Sequence, residues 1–499
     1  MQWHRIIDGV GAIEVVALRT AEIESVEYDS RAVRPGSLFV AMRGGTTDGN
    51  RYVSSALEAG AVALVTDSRE SFTVASGRGL AVALVEDGRR ALAELSANFF
   101  HHPERSLKLT AVTGTNGKTT TAFLIEGLLR AYRRRCILLG TIEAHIVGEI
   151  RSSPRTTPES RDVLEVFAEG VQRGATEAVM EMSSHALAQE RVWGLPVDVA
   201  IFTNLTQDHL DYHHTMESYA QAKARLFRGV GTSPPRVAIL NADDPSCDGM
   251  RDAASECETV WTYSVRHEAD SIAKEADFVA SQIELRAGET RFLLSTPGGT
   301  VAIRSGLSGR VNVYNLTAAV AAAMARGVPL EVCRVASAAL LPVPGRFETV
   351  PNGLGLSVVV DYAHTDDALR SLIALARDLV GSGRVITVFG CGGDRDRAKR
   401  PKMGRVAAEG SDLVIVTSDN PRSEDQAAIA REILAGMESS STEVELELDR
   451  RAAIGRAIGR AVPGDIVLLA GKGHEKVQSI DGIELDFDDV EEASLCLRR

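Results

Sequence analysis

The sequence predicts an α/β protein of three domains, the central one built on a largely parallel sheet with a phosphate-gripping loop. Three observations carry this. At 499 residues the chain is too long for one core and fits about three. Short apolar runs alternate with helix-like segments, the order that builds parallel sheets from strand–helix–strand units. Nearly every unusual polar cluster follows a strand-like run, which is where ligands bind in open α/β sheets.

In the first hundred residues, Ser37 to Met42 (SLFVAM), Ala61 to Thr66 (AVALVT) and Gly79 to Val85 read as strands, and Arg51 to Gly60 and Arg89 to Phe100 as helices. His101-His102-Pro103-Glu104 reads as a linker, closing a first domain over 1–106. A second domain, 107–343, carries strand-like runs at Leu107 to Val112, Glu177 to Glu181, Asp198 to Phe202 and Arg236 to Leu240. Pro344-Gly345-Arg346 marks the next junction. The third domain, 344–499, has strand-like runs at Val358 to Tyr362, Arg384 to Phe389, Asp412 to Thr417 and Asp465 to Ala470.

Behind these strands stand GTNGKT, EMSSH, TNLTQDH, NADD, DYAHT, GCGGDRD, SDNPR and GKGHE. The first is the most informative. Gly114-Thr115-Asn116-Gly117-Lys118-Thr119-Thr120 lies between a strand and a helix-like run, Thr119 to Tyr132. Gly114 and Gly117 let backbone N–H groups turn toward phosphate oxygens. Lys118 adds a mobile cation, and a Thr119 or Thr120 hydroxyl can hold the magnesium that accompanies a nucleotide. Val112 stands where the longer loop has its first glycine, so this is the short G-x-x-G-K-[ST] form, and it predicts ATP or GTP binding.

Composition is ordinary for a globular chain: 44% apolar, 25% charged and 5% aromatic. The net charge of −13 argues against nucleic acid as a main partner. Positive charge is concentrated locally instead, as in Asp394 to Lys402 (DRDRAKRPK). No run of eighteen apolar residues predicts membrane insertion, and the N-terminus lacks the apolar core of a signal peptide. Six scattered cysteines fit neither a disulfide framework nor a zinc site, so the chain reads as cytoplasmic.

Glu181 ends an apolar strand near the phosphate loop, a suitable place for a Mg²⁺ ligand. His209, in TQDHLDYHH, is an uncommon magnesium ligand, with Asp208 beside it as the runner-up. Lys223, in SYAQAKARLF, reads on pattern alone as a solvated helix lysine, and Arg191 as a surface arginine.

GTNGKTTT, EMSSHAL, TNLTQDHLDYH, GRFE, VDYAHT, DNPR and GKGHE occur in this order, and DSRAVRPGSLFVA precedes them. Together they resemble the Mur ligases of bacterial cell-wall synthesis, over the whole chain, and most the branch that adds the third amino acid to a UDP-muramoyl dipeptide. The resemblance implies a UDP-substrate domain, a central P-loop-type ATPase domain and a Rossmann-like C-terminal domain. It also implies an acyl-phosphate route: the substrate carboxylate attacks the γ-phosphate of ATP, and an amine then displaces phosphate.

By the same resemblance Lys118 holds the β/γ-phosphates, Thr119 and Glu181 bind one Mg²⁺, and His209 binds a second, supported by Lys223 as a carbamyl-lysine. Asn312 and Asn315 fall where the family contacts the base, Asn315 the better placed, and Arg346 and Asp361 reach ATP from the third domain. Asp366 replaces a proline that relatives carry, which is expected to loosen a helix start. Ser30 matches a uridine contact, and Thr156, Thr157, Ser183, Gln189 and Arg191 match residues that hold the muramoyl dipeptide. DNPR resembles the signature of enzymes adding meso-2,6-diaminopimelate: Arg422 and Arg395 grip its carboxylates, Asp419 and Glu475 receive its distal ammonium, and Asn420 and Gly471 add hydrogen bonds. The alternatives are a family ligase that adds L-lysine, and a P-loop NTPase or kinase that forms no peptide bond. The expected partners are small molecules only, acting on a monomer.

Overall fold

The computed structural model describes residues 1–16, 21–45, 47–153, 155–265, 276–286, 289–438 and 440–498. They form three main sheets. The first has five strands in the order Ala12–Val16, Ala81–Val85, Ala63–Thr66, Ser37–Ala41, Ser25–Glu27. Only Ala12–Val16 runs antiparallel to its neighbour. The strands Ser37–Ala41, Ala63–Thr66 and Ala81–Val85 are buried throughout, as a parallel sheet covered by helices on both faces requires. Helix Gly88–Phe99 covers one face, with Asp87 capping its first turn through bonds from Arg89 N and Arg90 N.

The central sheet has eleven strands. Its parallel block runs from Phe278–Arg286 through Thr259–Val265, Val237–Asn241, Val197–Phe202, Lys108–Thr113 and Glu177–Glu181 to Cys136–Leu139. Both ends are antiparallel. Glu143–Ile146 and Glu149–Ser152 extend one, Glu289–Thr296 and Gly299–Ser305 the other. The sheet is thus largely parallel, as expected, with antiparallel strands added at its two ends. Glu149–Ser152 is exposed along its whole length and has no apolar run to reveal it. Lys108–Thr113 sits between Glu177–Glu181 and Val197–Phe202, in register Val112 with Glu181 and Thr113 with Phe202. The chain leaves it toward one side of the sheet and later returns on the other, so a crevice opens at its C-terminal end.

The third sheet has six strands in the order Glu348–Thr349, Ser357–Asp361, Ile466–Ala470, Val385–Phe389, Leu413–Val416, Glu443–Leu446. It is parallel except at Glu348–Thr349. A separate hairpin, Val477–Ile480 with Ile483–Asp486, follows. Two local expectations change. The linker at 101–104 passes into a 3-10 turn, Pro103–Ser106, that buries Pro103 and Glu104. Helix Asp366–Val380 starts firmly without the proline: Thr365 accepts from Ala368 N, and Asp366 and Asp367 in its first turn suit the positive end of the helix dipole. Among the described residues, no helix is long and apolar enough to cross a membrane.

Candidate active site

A cleft of about 460 Å³ opens above the C-terminal end of Lys108–Thr113. The phosphate loop forms its floor. Gly114 and Gly117 take φ of +151° and +81°. A Cβ on Gly114 would lie 1.9 Å from Thr203 Oγ1, and one on Gly117 2.5 Å from Asn315 Oδ1, so both positions demand glycine. The loop is tied to the next strand end: Thr115 N donates to Asn204 O (2.8 Å) and Asn116 N to Asn204 Oδ1 (2.8 Å). Helix Lys118–Ala131 begins at Gly117, so its first N–H groups and its dipole face the cleft.

Lys118 Nζ folds back to donate to Gly114 O (3.0 Å) and Thr115 O (2.8 Å). Burial pushes its pKa down, against the pull of Glu181 and Asp208. Lys223 is more extreme. Its side chain, 1% exposed, donates to the same Gly114 carbonyl at 2.6 Å and lies 4.4 Å from the Tyr219 ring centre. Among the described residues no carboxylate pairs with it. Burial, with Lys118 adding to it, pushes its pKa well below the lysine range. The solvated-lysine reading is thereby overturned: helix Met216–Arg228 turns Tyr219, Lys223 and Phe227 inward at helical spacing.

Glu181 is fully buried beside this loop. Its Oε2 accepts from Thr119 Oγ1 (3.0 Å) and Thr141 Oγ1 (3.0 Å), and its Oε1 from Thr141 N (2.7 Å). Asp208 and His209 sit across the cleft with Oδ2 and Nε2 3.4 Å apart. Burial pushes the His209 imidazole down to about 4, overriding Asp208, so the ring is neutral at pH 7 and carries a free lone pair. Among the described residues no three His, Cys, Asp or Glu side chains converge as a ready-made cage. The hydroxyl and carboxylate of Thr119 and Glu181 are the hard-oxygen set that Mg²⁺ takes when phosphates and water supply the rest, so they fit that ion.

At the far end of the cleft Asn312, Asn315, Tyr263 and Tyr314 line the wall. Asn315 Oδ1 accepts from Thr121 Oγ1 (3.4 Å), and Asn312 Oδ1 from Asn315 Nδ2 (3.2 Å). The third domain closes the roof. Arg346 Nη2 donates to Thr119 Oγ1 (3.3 Å), and its guanidinium lies 4.7 Å from the Tyr362 ring centre. Its Nε is buried without a hydrogen-bond partner. Asp361 is held by Phe347 N (2.7 Å) and Ala363 N (2.8 Å). Asp367 Oδ2 accepts from Asn116 Nδ2 (3.0 Å), joining the third domain to the phosphate loop itself.

A second group adjoins the cleft. Thr157 Oγ1 donates to Glu181 O (2.9 Å) and accepts from Ser183 N (3.0 Å), and Thr156 Oγ1 accepts from Thr141 Oγ1 (3.1 Å). Arg191 donates to Gln189 Oε1 (2.7 Å) and Thr157 O (3.3 Å) and pairs with the buried Glu159 (3.2 Å). Half-buried rather than a surface arginine, it has its pKa pushed down by burial. Arg89 of the first domain reaches the same place, donating to Gln189 O (3.1 Å) and facing Glu159 (3.4 Å). Ser30 lies in the turn at 29–32 of the first domain, and none of the group's hydrogen bonds reaches it.

In the third domain Arg422, at φ +54°, donates to Gly393 O (2.8 Å) and, among the described residues, pairs with no carboxylate. Exposed Arg395 donates only to Asp394 O (3.2 Å). Asp419, Glu475 and Arg422 share one corner, where the charges of all three act on Tyr362; burial and then the charge of Asp419 raise the Glu475 pKa. Asn420 Nδ2 donates to Glu475 Oε2 (2.6 Å). A Cβ on Gly471 would lie 2.5 Å from Asp419 Oδ2, so the backbone must be bare there.

Residues 22–100 match the model of the Mur ligase family, catalytic domain; 112–323 match the Mur ligase middle domain; and 345–473 match the Mur ligase, glutamate ligase domain. The chain belongs to the Mur ligase family. A relative from Solibacter usitatus (strain Ellin6076), named UDP-N-acetylmuramoyl-L-alanyl-D-glutamate--2,6-diaminopimelate ligase, is 47% identical to this Mur ligase over 474 residues, 95% of this chain and 93% of that one. One of the same name from Listeria monocytogenes serovar 1/2a (strain ATCC BAA-679 / EGD-e) is 39% identical over 503 residues, 100% of this chain and 99% of that one. A solved structure with that name superposes at a TM-score of 0.67 and 34% identity, covering 97% of each chain. MurF from Acinetobacter baumannii, at 21% identity and a TM-score of 0.64 over 90% of each, shares the fold.

In this Mur ligase the sequence-derived residues, Ser30 apart, gather into three groups: the phosphate cleft, the Arg191 cluster and the DNPR–GKGHE corner. Sequence reading missed Thr141, Asn204, Asp367 and Lys472. Thr141 has no motif of its own, and Lys472 lay inside GKGHE, where the flanking glycine and glutamate drew the attention.

Proposed function

We propose that this Mur ligase joins meso-2,6-diaminopimelate to UDP-N-acetylmuramoyl-L-alanyl-D-glutamate, with ATP cleaved to ADP and phosphate, as a step in building the cell-wall precursor. One observation carries the choice of amino acid. Among the described residues Arg422 and Arg395 have no acidic partner, while in the same corner the charge of Asp419 acts on Glu475. Two unpaired guanidiniums next to two repelling carboxylates complement a molecule with carboxylates and an ammonium. The relatives at 39–47% identity carry the same name.

In this reading Lys118, Arg346 and the N-terminus of helix Lys118–Ala131 neutralise the triphosphate, and Asn315 meets the base. Thr156, Thr157, Ser183, Gln189 and Arg191 hold the acceptor so that its carboxylate oxygen meets the γ-phosphorus. The P–O bond to ADP breaks as the acyl–O–P bond forms. The incoming neutral amine then attacks the acyl carbon, phosphate leaves, and the surplus proton passes to solvent. Orientation of three substrates in one cleft supplies most of the acceleration. Thr119 and Glu181 would hold one Mg²⁺, and neutral His209 with carbamylated Lys223 a second; bound there, the ions would spread the charge of the transferring phosphoryl group.

We read the chain as a cytoplasmic monomer with boundaries at 106/107 and 343/344. Each main sheet lies within one of these spans, and the six cysteines are free.

The test is phosphate release from ATP with Mg²⁺ and the UDP-dipeptide, run with meso-diaminopimelate, with L-lysine and with neither. Release and tripeptide with diaminopimelate alone is the expected result. Preference for lysine would overturn the reading of Arg422. Equal release in all three arms would mean an NTPase that forms no peptide bond.

A further inference from the structure

The GKGHE segment buries a full cation that the reaction does not require. Lys472 is 0% exposed, and its ion pair with Glu475 Oε2 (3.4 Å) is the longest of its three contacts: its Nζ also donates to Val477 O (2.5 Å) and Asn420 Oδ1 (3.1 Å). Burying an ammonium this deeply is costly unless all its donors are used, and here three acceptors use all three.

The acceptors are informative. Asn420 Oδ1 also accepts from Ser479 N (3.0 Å), which fixes the amide so that its Nδ2 must face Glu475 Oε2, at 2.6 Å. Lys472 and Asn420 therefore both grip one oxygen of Glu475. The other oxygen, Oε1, takes no hydrogen bond from the described residues. The backbone repeats the arrangement, since Glu475 N donates to Lys472 O (2.9 Å) and locks the turn between them.

We propose that Lys472 is a positioning residue for the amino-acid substrate: it holds Glu475 in one rotamer, so that the free carboxylate oxygen can receive the ammonium of the incoming diamino acid. This rests on the reading of DNPR and GKGHE as the amino-acid site. The electrostatics agree. Burial and Asp419 push Glu475 toward protonation, while Lys472 and the Asn420 bond oppose them. The other charged or titratable groups facing this corner are Tyr362, Arg422, His474 and Arg450, and Arg450 is already neutralised by Asp489 at 2.6 Å. Removing Lys472 would leave Asp419 and Glu475 repelling each other without the cation that bonds Glu475.

The experiment compares Lys472→Met with Lys472→Gln, which keeps a hydrogen-bonding end without the charge, in the full enzyme with all three substrates. The expected result in both is a KM for diaminopimelate raised roughly tenfold or more, with kcat and the KM for ATP little changed, because a charge-assisted bond is lost only from the ground that holds this substrate. The acid limb of kcat/KM for diaminopimelate should move up by about one pH unit as Glu475 loses its cation. In a Glu475→Gln background the Lys472→Met change should then have little further effect on that KM. A diaminopimelate KM and acid limb unchanged in both variants, or Lys472→Met effects that simply add to those of Glu475→Gln, would overturn the proposal. So would equal losses for all three substrates, which mark a purely structural lysine. If the wild type itself did not turn over diaminopimelate, the amino-acid reading would fail instead.

Discussion

At the level of one side chain, the proposed choice of substrate rests on Arg422. It sits at φ +54°, pinned by Arg422 N to Ser479 O (3.0 Å) and by Asp481 N to its own carbonyl (2.7 Å), so the guanidinium is aimed rather than free. Arg422→Ala should lower kcat/KM for diaminopimelate by roughly 10²-fold or more, and should narrow the preference over lysine by a similar factor; steady-state kinetics with both amino acids checks it. Lys223 makes a second residue-scale prediction. The carbamyl group proposed on Lys223 comes from CO₂, so enzyme held in bicarbonate-free, CO₂-purged buffer should lose activity and regain it on adding bicarbonate, whereas Lys223→Arg should be inactive in both. At this scale the sequence was legible where a residue type has one chemistry, as in the glycines and Lys118 of the phosphate loop. It was not legible for Lys223, because a pattern of helix positions does not reveal that Gly114 O and Tyr219 close over that face.

Among elements, the loops at strand ends carry the greatest constraint. The approach of Gly114 to Thr203 leaves no room for a methyl group, so Gly114→Ala should abolish measurable ATP binding and lower stability by about 2 kcal/mol or more. Calorimetric titration and thermal unfolding would show both. Gly345 is as constrained: at φ +65°, a Cβ there would lie 2.1 Å from His474 N. The parallel strands were readable because burial on both faces makes continuous apolar runs such as AVALV and IVLLA. The antiparallel ends were not. Glu289–Thr296 alternates buried and exposed residues, and Val477–Ile480 is four residues long, too short for a periodicity to emerge.

For the whole molecule, the junction of domains carries a pH signature. Burial pushes His364 and His474 down to about 4. Both are depressed below the unfolded value of about 6.5, so the unfolded chain binds protons that the folded one refuses. Stability should be level above pH 7 and fall between about pH 6.5 and 4. Replacing both histidines with glutamine should reduce the slope of that segment of a plot of thermal midpoint against pH, the remainder coming from His209 and His213, also held at about 4, while leaving the steeper loss at lower pH from paired carboxylates such as Glu424, held at about 2. The order of the domains was legible from motif order, but their embrace was not, because contacts such as Asn116 with Asp367 link residues 251 apart.

That embrace has a consequence for the protein while it is being made. The phosphate loop is translated early, but Arg346 and Asp361, which line the same cleft, come from the last third of the chain. Domains fold in order as they leave the ribosome. A nascent chain stopped before residue 345 would own a formed phosphate loop with an open roof and no corner for the amine. Synthesis order thus guards against idle ATP consumption: hydrolysis becomes possible only when the polypeptide that can use it is nearly finished.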